Sequence, residues 1–417
     1  MRRVAMISEH ANPVAALGGT DSGGQNVYVE QVSRGVARLG FAVDVYTRAD
    51  NPCALLPRQI DDNVWVIPVS AGPLAPIPKD AIWPYLPEFL TSTLRLASQR
   101  QPYDLIHGNF WMSGWLGAEL KSHWQIPLVQ IFHALGIIKR QHQGKADTSP
   151  PERFDVECAV LRAADRIIAQ CPSEVEDLAT WYGADLSKIQ VVPSGVDIRR
   201  FFPVPTDQAR RDLGLRPDQL IAVYVGRLVQ RKGIENVIRA IPKLEPTLAR
   251  RFQFLVVGGE TAEADLEREP EISRLAQIAA ELGVRDRVTF VGHHPTDILR
   301  IYYSAADVFV STPWYEPYGL TPLEAMACGT PVICSAVGGI KFTVAHGETG
   351  FLVKPEDSSE LAQRLTEILA DPVLRRRFSA NARSRVEHTF TWPIVAQRTA
   401  ELYLEVLRER CRSGQVA

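Results

Sequence analysis

Apolar runs and amphipathic stretches alternate along this chain, and the alternation occurs twice. Residues 4–7 read as a buried strand, and residues 27–39 carry apolar positions at helical spacing before Gly40 stops them. Residues 42–46, 64–69, 105–107, 128–132, 166–169 and 189–192 are further strand candidates, with helices between several of them. Periodicity lapses over Pro193-Ser194-Gly195-Val196-Asp197 and Phe202-Pro203-Val204-Pro205, where turn residues cluster. It restarts at residues 220–225 and continues through 252–257, 288–291 and 306–310. Short apolar strands alternating with helices imply an α/β chain with parallel sheets. The expected organisation is two doubly wound domains, 1–197 and 198–391, with an interdomain cleft and a closing helical segment, 392–417.

The last of these strands leads into the most informative stretch, Glu316-Pro317-Tyr318-Gly319-Leu320-Thr321-Pro322-Leu323-Glu324. Thr321 reads as a helix N-cap, Pro322 as the first helical residue and Glu324 as the third, a capping-box spacing. Cys328-Gly329-Thr330-Pro331 then ends the helix. Peptide N–H groups around Gly319 and Leu320 point out of a helix N-terminus, where an anion is favoured. Glu324 is therefore either a helix cap or a ligand. A second strand–helix junction, Gly226-Arg227-Leu228-Val229-Gln230-Arg231-Lys232-Gly233, supplies cations: Arg227 can fork onto phosphate oxygens and Lys232 adds a compact charge.

Between the first strand and first helix lies Gly18-Gly19-Thr20-Asp21-Ser22-Gly23-Gly24-Gln25-Asn26, which permits close backbone approach at another helix N-terminus. It is not a G-x-G-x-x-G dinucleotide fingerprint, which disfavours a dehydrogenase.

Composition narrows the field. With 46 basic and 48 acidic residues among 417, nothing suggests a nucleic-acid footprint. Arg210-Arg211 and Arg375-Arg376-Arg377 read as solvated helix faces. No run of 18 or more apolar residues predicts a membrane span, and the short apolar run after Met1-Arg2-Arg3 does not make a signal peptide. Six cysteines without C-x-x-C or metal-ligand spacing read as reduced thiols of a cytoplasmic protein. No protein-held metal or other cofactor is expected, and oligomeric state is left open.

Glu316 to Glu324, continued by Ala325-Met326-Ala327-Cys328-Gly329-Thr330-Pro331 and Gly338-Gly339, resembles the E-x7-E signature of retaining, nucleotide-sugar-dependent glycosyltransferases of the GT-B fold, family 4. The resemblance implies that Glu316 contacts donor-sugar hydroxyls, that Gly319, Leu320 and Thr321 meet the diphosphate, and that Glu324 meets the ribose. It also implies that Arg227 and Lys232 clamp the diphosphate and that Val291 lies against the base. The glycine-rich stretch is similar to the acceptor-side loop of sucrose-phosphate synthases, sucrose synthases and the inositol-phosphate N-acetylglucosaminyltransferases of mycothiol biosynthesis. That assigns Gly24 to the donor side and Gly23 and Gln25 to the acceptor. Lys79, in Ile77-Pro78-Lys79-Asp80, and Arg153, in Pro151-Glu152-Arg153-Phe154, match positions that bind acceptor phosphate. His133, in Phe132-His133-Ala134-Leu135-Gly136, matches a histidine facing the donor sugar. On residue type alone, Lys79 is a surface lysine, Arg153 an ion-paired helix residue and His133 a core histidine.

The resemblance implies glucosyl transfer from UDP-glucose to fructose 6-phosphate first, and N-acetylglucosaminyl transfer from UDP-GlcNAc to inositol phosphate second. Phe110 stands where the inositol-phosphate enzymes carry a tyrosine, and Ala134 where they carry a threonine. A UDP-sugar 2-epimerase and a non-catalytic sugar-nucleotide-binding protein are the rival classes.

Overall fold

A computed structural model describes residues 1–14, 23–144 and 147–413. The chain forms two compact units: residues from Met1 to Ser194 together with the chain from Trp392 onward, and Gly195–Thr391.

The first unit contains strands β1 (Arg2–Ile7), β2 (Phe41–Arg48), β3 (Arg58–Asp61), β4 (Val64–Val69), β5 (Leu105–Asn109), β6 (Leu128–Ile131), β7 (Arg166–Ala169) and β8 (Ile189–Val191). Their order is β3-β4-β2-β1-β5-β6-β7-β8. All neighbours are parallel except β3 against β4. β1 sits at the centre, with Val4↔Val43 on one side and Met6↔His107 on the other, and residues 4–7 are buried on both faces. That is why its sequence is a continuous apolar run rather than an alternating one. β3 was not expected: it is a short, polar antiparallel edge strand without apolar periodicity.

The helix Trp392–Ser413 covers this sheet beside the helix Gly24–Arg38. Gly35 makes the approach possible, since a Cβ there would lie 2.4 Å from the Ala396 Cβ. Tyr403 anchors the helix to the sheet, its hydroxyl 2.5 Å from His107 Nδ1.

The second unit contains β9 (Leu220–Val225), β10 (Phe252–Val257), β11 (Val288–Gly292), β12 (Val308–Ser311), β13 (Val332–Ser335) and β14 (Gly350–Val353), all parallel, in the order β11-β10-β9-β12-β13-β14. β13 and β14 are four-residue strands absent from the sequence reading.

Arg211, Arg376 and Arg377 are exposed as expected, whereas Arg210 and Arg375 are not. Arg210 is buried: its guanidinium donates to the Ala305 and Pro217 carbonyls and pairs with Asp307 at 2.8 Å. Arg375 donates to the Ile368 and Leu369 carbonyls, satisfying the end of the helix Ser358–Ala370. Arg210 and Arg211 are adjacent in a helix, so one faces inward while the other stays exposed.

Candidate functional site

Each sheet has a point where chain progression reverses, and in open α/β sheets ligands bind outside the carboxyl ends of strands at that point. In the second unit it falls between β9 and β12. The carboxyl end of β9 leads into Arg227 to Lys232, and that of β12 leads into Glu316. The two independent motifs therefore meet because the sheet topology makes their strands neighbours.

Lys232 Nζ donates to Glu316 Oε2, and Arg231 Nη1 lies 3.6 Å from the same oxygen while donating to the Tyr315 carbonyl at 3.1 Å. Burial alone would raise the Glu316 carboxyl, but Lys232, Arg231 and Arg227 outweigh it and hold the group below the ordinary carboxylate range. Burial lowers the Lys232 ammonium, opposed by Glu316 and reinforced by the two arginines. Arg227 is exposed, and its own carbonyl is fixed by the Tyr224 hydroxyl at 2.9 Å. Two cations thus meet one carboxylate and a third, Arg227, acts on it electrostatically, an excess of positive charge suited to a diphosphate. Arg231 was not singled out in the sequence. Its position inside the cationic motif was the available signal.

The helix beyond Glu316 corrects the capping assignment. It runs Leu320–Ala327, with Gly319 at the N-cap in the left-handed region (φ +87°) and no side-chain cap. Thr321 is the second helical residue and Pro322 the third, a position that still has no intrahelical N–H to lose. Glu324 is one turn in and caps nothing: its Oε2 accepts the Tyr303 hydroxyl at 2.7 Å. No acidic residue occupies the first turn, so the positive end of the helix is left for an external anion. Val291 is half-buried on β11, packed in the core shared by β9 and β10 and next to Gly292, which ends the strand at φ +97°.

In the first unit the reversal falls between β1 and β5. His133 follows β6 at φ +60°, its Nε2 within 3.3 Å of Asn109 Oδ1 and its ring edge-on to Tyr28 at 4.9 Å. Burial, reinforced by His107 and His10, holds its pKa far below the usual range, so it is neutral at pH 7. Gln25 Nε2 donates to the Asn109 carbonyl at 3.3 Å, tying the start of helix Gly24–Arg38 to the end of β5. Gly23 is the N-cap of that helix, and a Cβ on it would meet nothing within 4 Å. Gly18 to Ser22 lie outside the described residues.

Arg153 is closed into its surroundings. It is 2% exposed, with Nε donating to Glu157 at 2.8 Å, Nη1 to Ser149 at 3.1 Å and Nη2 to the Ala134 carbonyl at 2.6 Å, over the Phe110 ring. Lys79 is half-buried, and its neighbour Asp80 accepts from Thr148 at 2.5 Å. Lys139 bridges Asp147 and Ser149, so a chain of side-chain contacts runs from the Lys79 turn towards Arg153. Lys139, like Asn109, was missed because its role exists only after folding. Among the described residues no cluster of three or more histidine, cysteine or acidic side chains is placed to hold a metal, and no helix is long and apolar enough to cross a membrane.

Two nucleotide-fold units, one with a cation-and-helix anion site flanked by paired glutamates, define a nucleotide-sugar-dependent glycosyltransferase of the GT-B fold. Residues 22–200 match the model of Glycosyltransferase Family 4, and residues 205–385 that of Glycosyl transferases group 1. The D-inositol 3-phosphate glycosyltransferase of Acidothermus cellulolyticus is 37% identical over 417 residues, covering 98% of this chain and 91% of its own. The solved sucrose-phosphate synthase of Thermosynechococcus elongatus aligns with a TM-score of 0.88 at 37% identity, covering 98% of this chain and all of that one. Anabaena HepE, solved with UDP and glucose, aligns at 0.75 over 97% of this chain with 22% identity, a likeness of fold alone. The chain belongs to the family-4, group-1 glycosyltransferases.

Proposed function

We propose that the protein moves a sugar from a uridine diphosphate sugar to a phosphorylated polyol, with retention, and that inositol phosphate and UDP-N-acetylglucosamine are its substrates. The observation that carries this reading is the relative that is 37% identical across 98% of the chain and acts, by its name, on D-inositol 3-phosphate. It reverses the order given by the motifs alone, which put fructose 6-phosphate first. Fructose 6-phosphate remains the second reading, supported by the sucrose-phosphate synthase at equal identity and by Phe110, whose buried ring offers Arg153 a face and no hydroxyl.

In this scheme the acceptor hydroxyl forms its bond to the anomeric carbon on the face from which the diphosphate departs. The proton passes to a β-phosphate oxygen, and no carboxylate acts as a covalent nucleophile. Arg227, Lys232 and the N-terminus at Gly319, Leu320 and Thr321 stabilise the departing charge. Glu316 takes sugar hydroxyls, neutral His133 helps orient the sugar, and Glu324 holds the ribose. No metal is needed in this scheme.

The test is turnover of inositol 3-phosphate and fructose 6-phosphate, each beside its unphosphorylated counterpart. Arg153→Ala is a poor probe, because it strands Glu157 buried without its cation. Lys79→Ala is cleaner. It is expected to raise the acceptor KM roughly 10–150-fold, one charge-assisted contact, and to leave the donor KM alone. Turnover of fructose 6-phosphate without inositol phosphate would install the second reading, and equal rates with unphosphorylated acceptors would remove the phosphate from both.

A further inference from the structure

Glu324 does not stand alone. The Tyr303 hydroxyl, from the helix Thr296–Ala305, donates to its Oε2 at 2.7 Å. Tyr303 is fully buried, its ring edged by Phe201 at 6.1 Å and Phe309 at 5.7 Å, and its carbonyl accepts the Thr330 hydroxyl at 2.7 Å. The phenol is therefore held by its packing and by its bond to Glu324, and the backbone behind it by Thr330, whereas Glu324 itself remains partly accessible.

We propose that Tyr303 is a positioning residue for donor binding: it holds one Glu324 oxygen and leaves the other for the ribose hydroxyls. This rests on the reading of Glu324 as the ribose ligand. A diol donates two hydrogen bonds, so its partner must be an acceptor. Protonated Glu324 has an O–H to place and loses that capacity.

The titratable and charged groups acting on Glu324 are Tyr303, Arg200 from the segment ahead of the second unit's first helix, and Cys328 at the end of its own helix; Tyr224 of β9 acts electrostatically on Tyr303. Burial pushes the Glu324 pKa up to about 7, against the lowering effects of Tyr303 and Arg200. Its charge is thus in balance near neutrality, and the tyrosine hydrogen bond is one of the forces keeping it ionised. Donor affinity should accordingly strengthen as pH rises through neutrality. Removing the phenolic donor shifts that rise to higher pH.

The experiment is UDP binding by calorimetry from about pH 6 to about pH 9, on the wild type, Tyr303→Phe, Glu324→Gln and the double variant. Tyr303→Phe is expected to bind roughly tenfold more weakly near neutrality and to recover in the alkaline range. Glu324→Gln should be weaker and flat with pH, and adding Tyr303→Phe to it should change little. A wild-type profile for Tyr303→Phe, or uniform weakening at every pH, overturns the inference, as does a double variant that loses affinity additively. Wild-type UDP affinity in Glu324→Gln would instead remove the ribose assignment itself. Glu324→Gln leaves Tyr303 in place, so a pH-dependent UDP affinity in that variant overturns the inference even if Tyr303→Phe is less stable.

Discussion

Arg227→Ala is expected to lower kcat/KM by about 10²-fold or more while leaving the fold intact. The side chain is exposed, so truncation opens no cavity, and a stability change within about 0.5 kcal/mol is the expectation for such a position. In the proposed scheme, what it removes is charge at the moment of bond cleavage. As the sugar leaves, the diphosphate gains negative charge, and a cation about 4 Å away in a partly desolvated site contributes on the order of 4 kcal/mol. Lys232 and the helix N-terminus at Leu320 persist, so the loss is partial. Glu316 complicates the balance: it already draws on all three cations, and removing one weakens its own ionisation as well as the leaving-group contact. Arg227→Lys should recover part of the loss, because the charge returns without the fork. Near-wild-type turnover in a folded Arg227→Ala protein would contradict the clamp.

Much of this site was legible because its parts lie at strand ends. Buried parallel strands announce themselves as unbroken apolar runs, and the residues just after them are where a doubly wound sheet presents chemistry. That logic placed Arg227 and Lys232 after β9 and Glu316 after β12, and the sheet order then brought them together. It failed where an element is too short or too polar to have a period, as with β3 and the four-residue β13 and β14. It failed differently at Glu324. Thr321, Pro322 and Glu324 fit a capping box by spacing, but Gly319 can adopt φ +87° and starts the helix earlier, leaving Glu324 to a tyrosine 21 residues away. No local pattern encodes that pairing. Arg210 was misjudged for a related reason: a pair of adjacent arginines looks solvated until Asp307 is brought beside one of them. Arg153 shows the reverse: the bland expectation of an ion-paired helix residue is met by Glu157, with Ser149, the Ala134 carbonyl and the Phe110 ring taking up the rest of the guanidinium.

Gly338→Ala should damage stability and chemistry together, through backbone alone. Gly338 has φ +43°, and a Cβ there would lie 2.0 Å from the Glu316 carbonyl oxygen and 3.1 Å from that of Pro317. Neither is a side chain able to swing aside. Gly339 is equally close-packed, its Cβ position 2.7 Å from the Tyr318 Cα, and its N–H donates to the Pro317 carbonyl at 3.0 Å. The loop after β13 is therefore a template against which Glu316-Pro317-Tyr318 is cast. Forcing a methyl group in costs about 1–3 kcal/mol of overpacking and a similar amount of backbone strain. Relief by shifting the Glu316 segment moves the carboxylate away from Lys232 and tilts the start of the helix Leu320–Ala327. A displacement of about 1 Å at a reacting centre costs roughly 10²-fold. The expected outcome is a lowered Tm together with at least that loss in kcat/KM. Gly23→Ala is the control: its φ is extended and its Cβ position is open, so stability should fall by no more than about 1 kcal/mol. A Gly338→Ala protein with wild-type Tm and turnover would show that the Glu316 segment is not held by this contact.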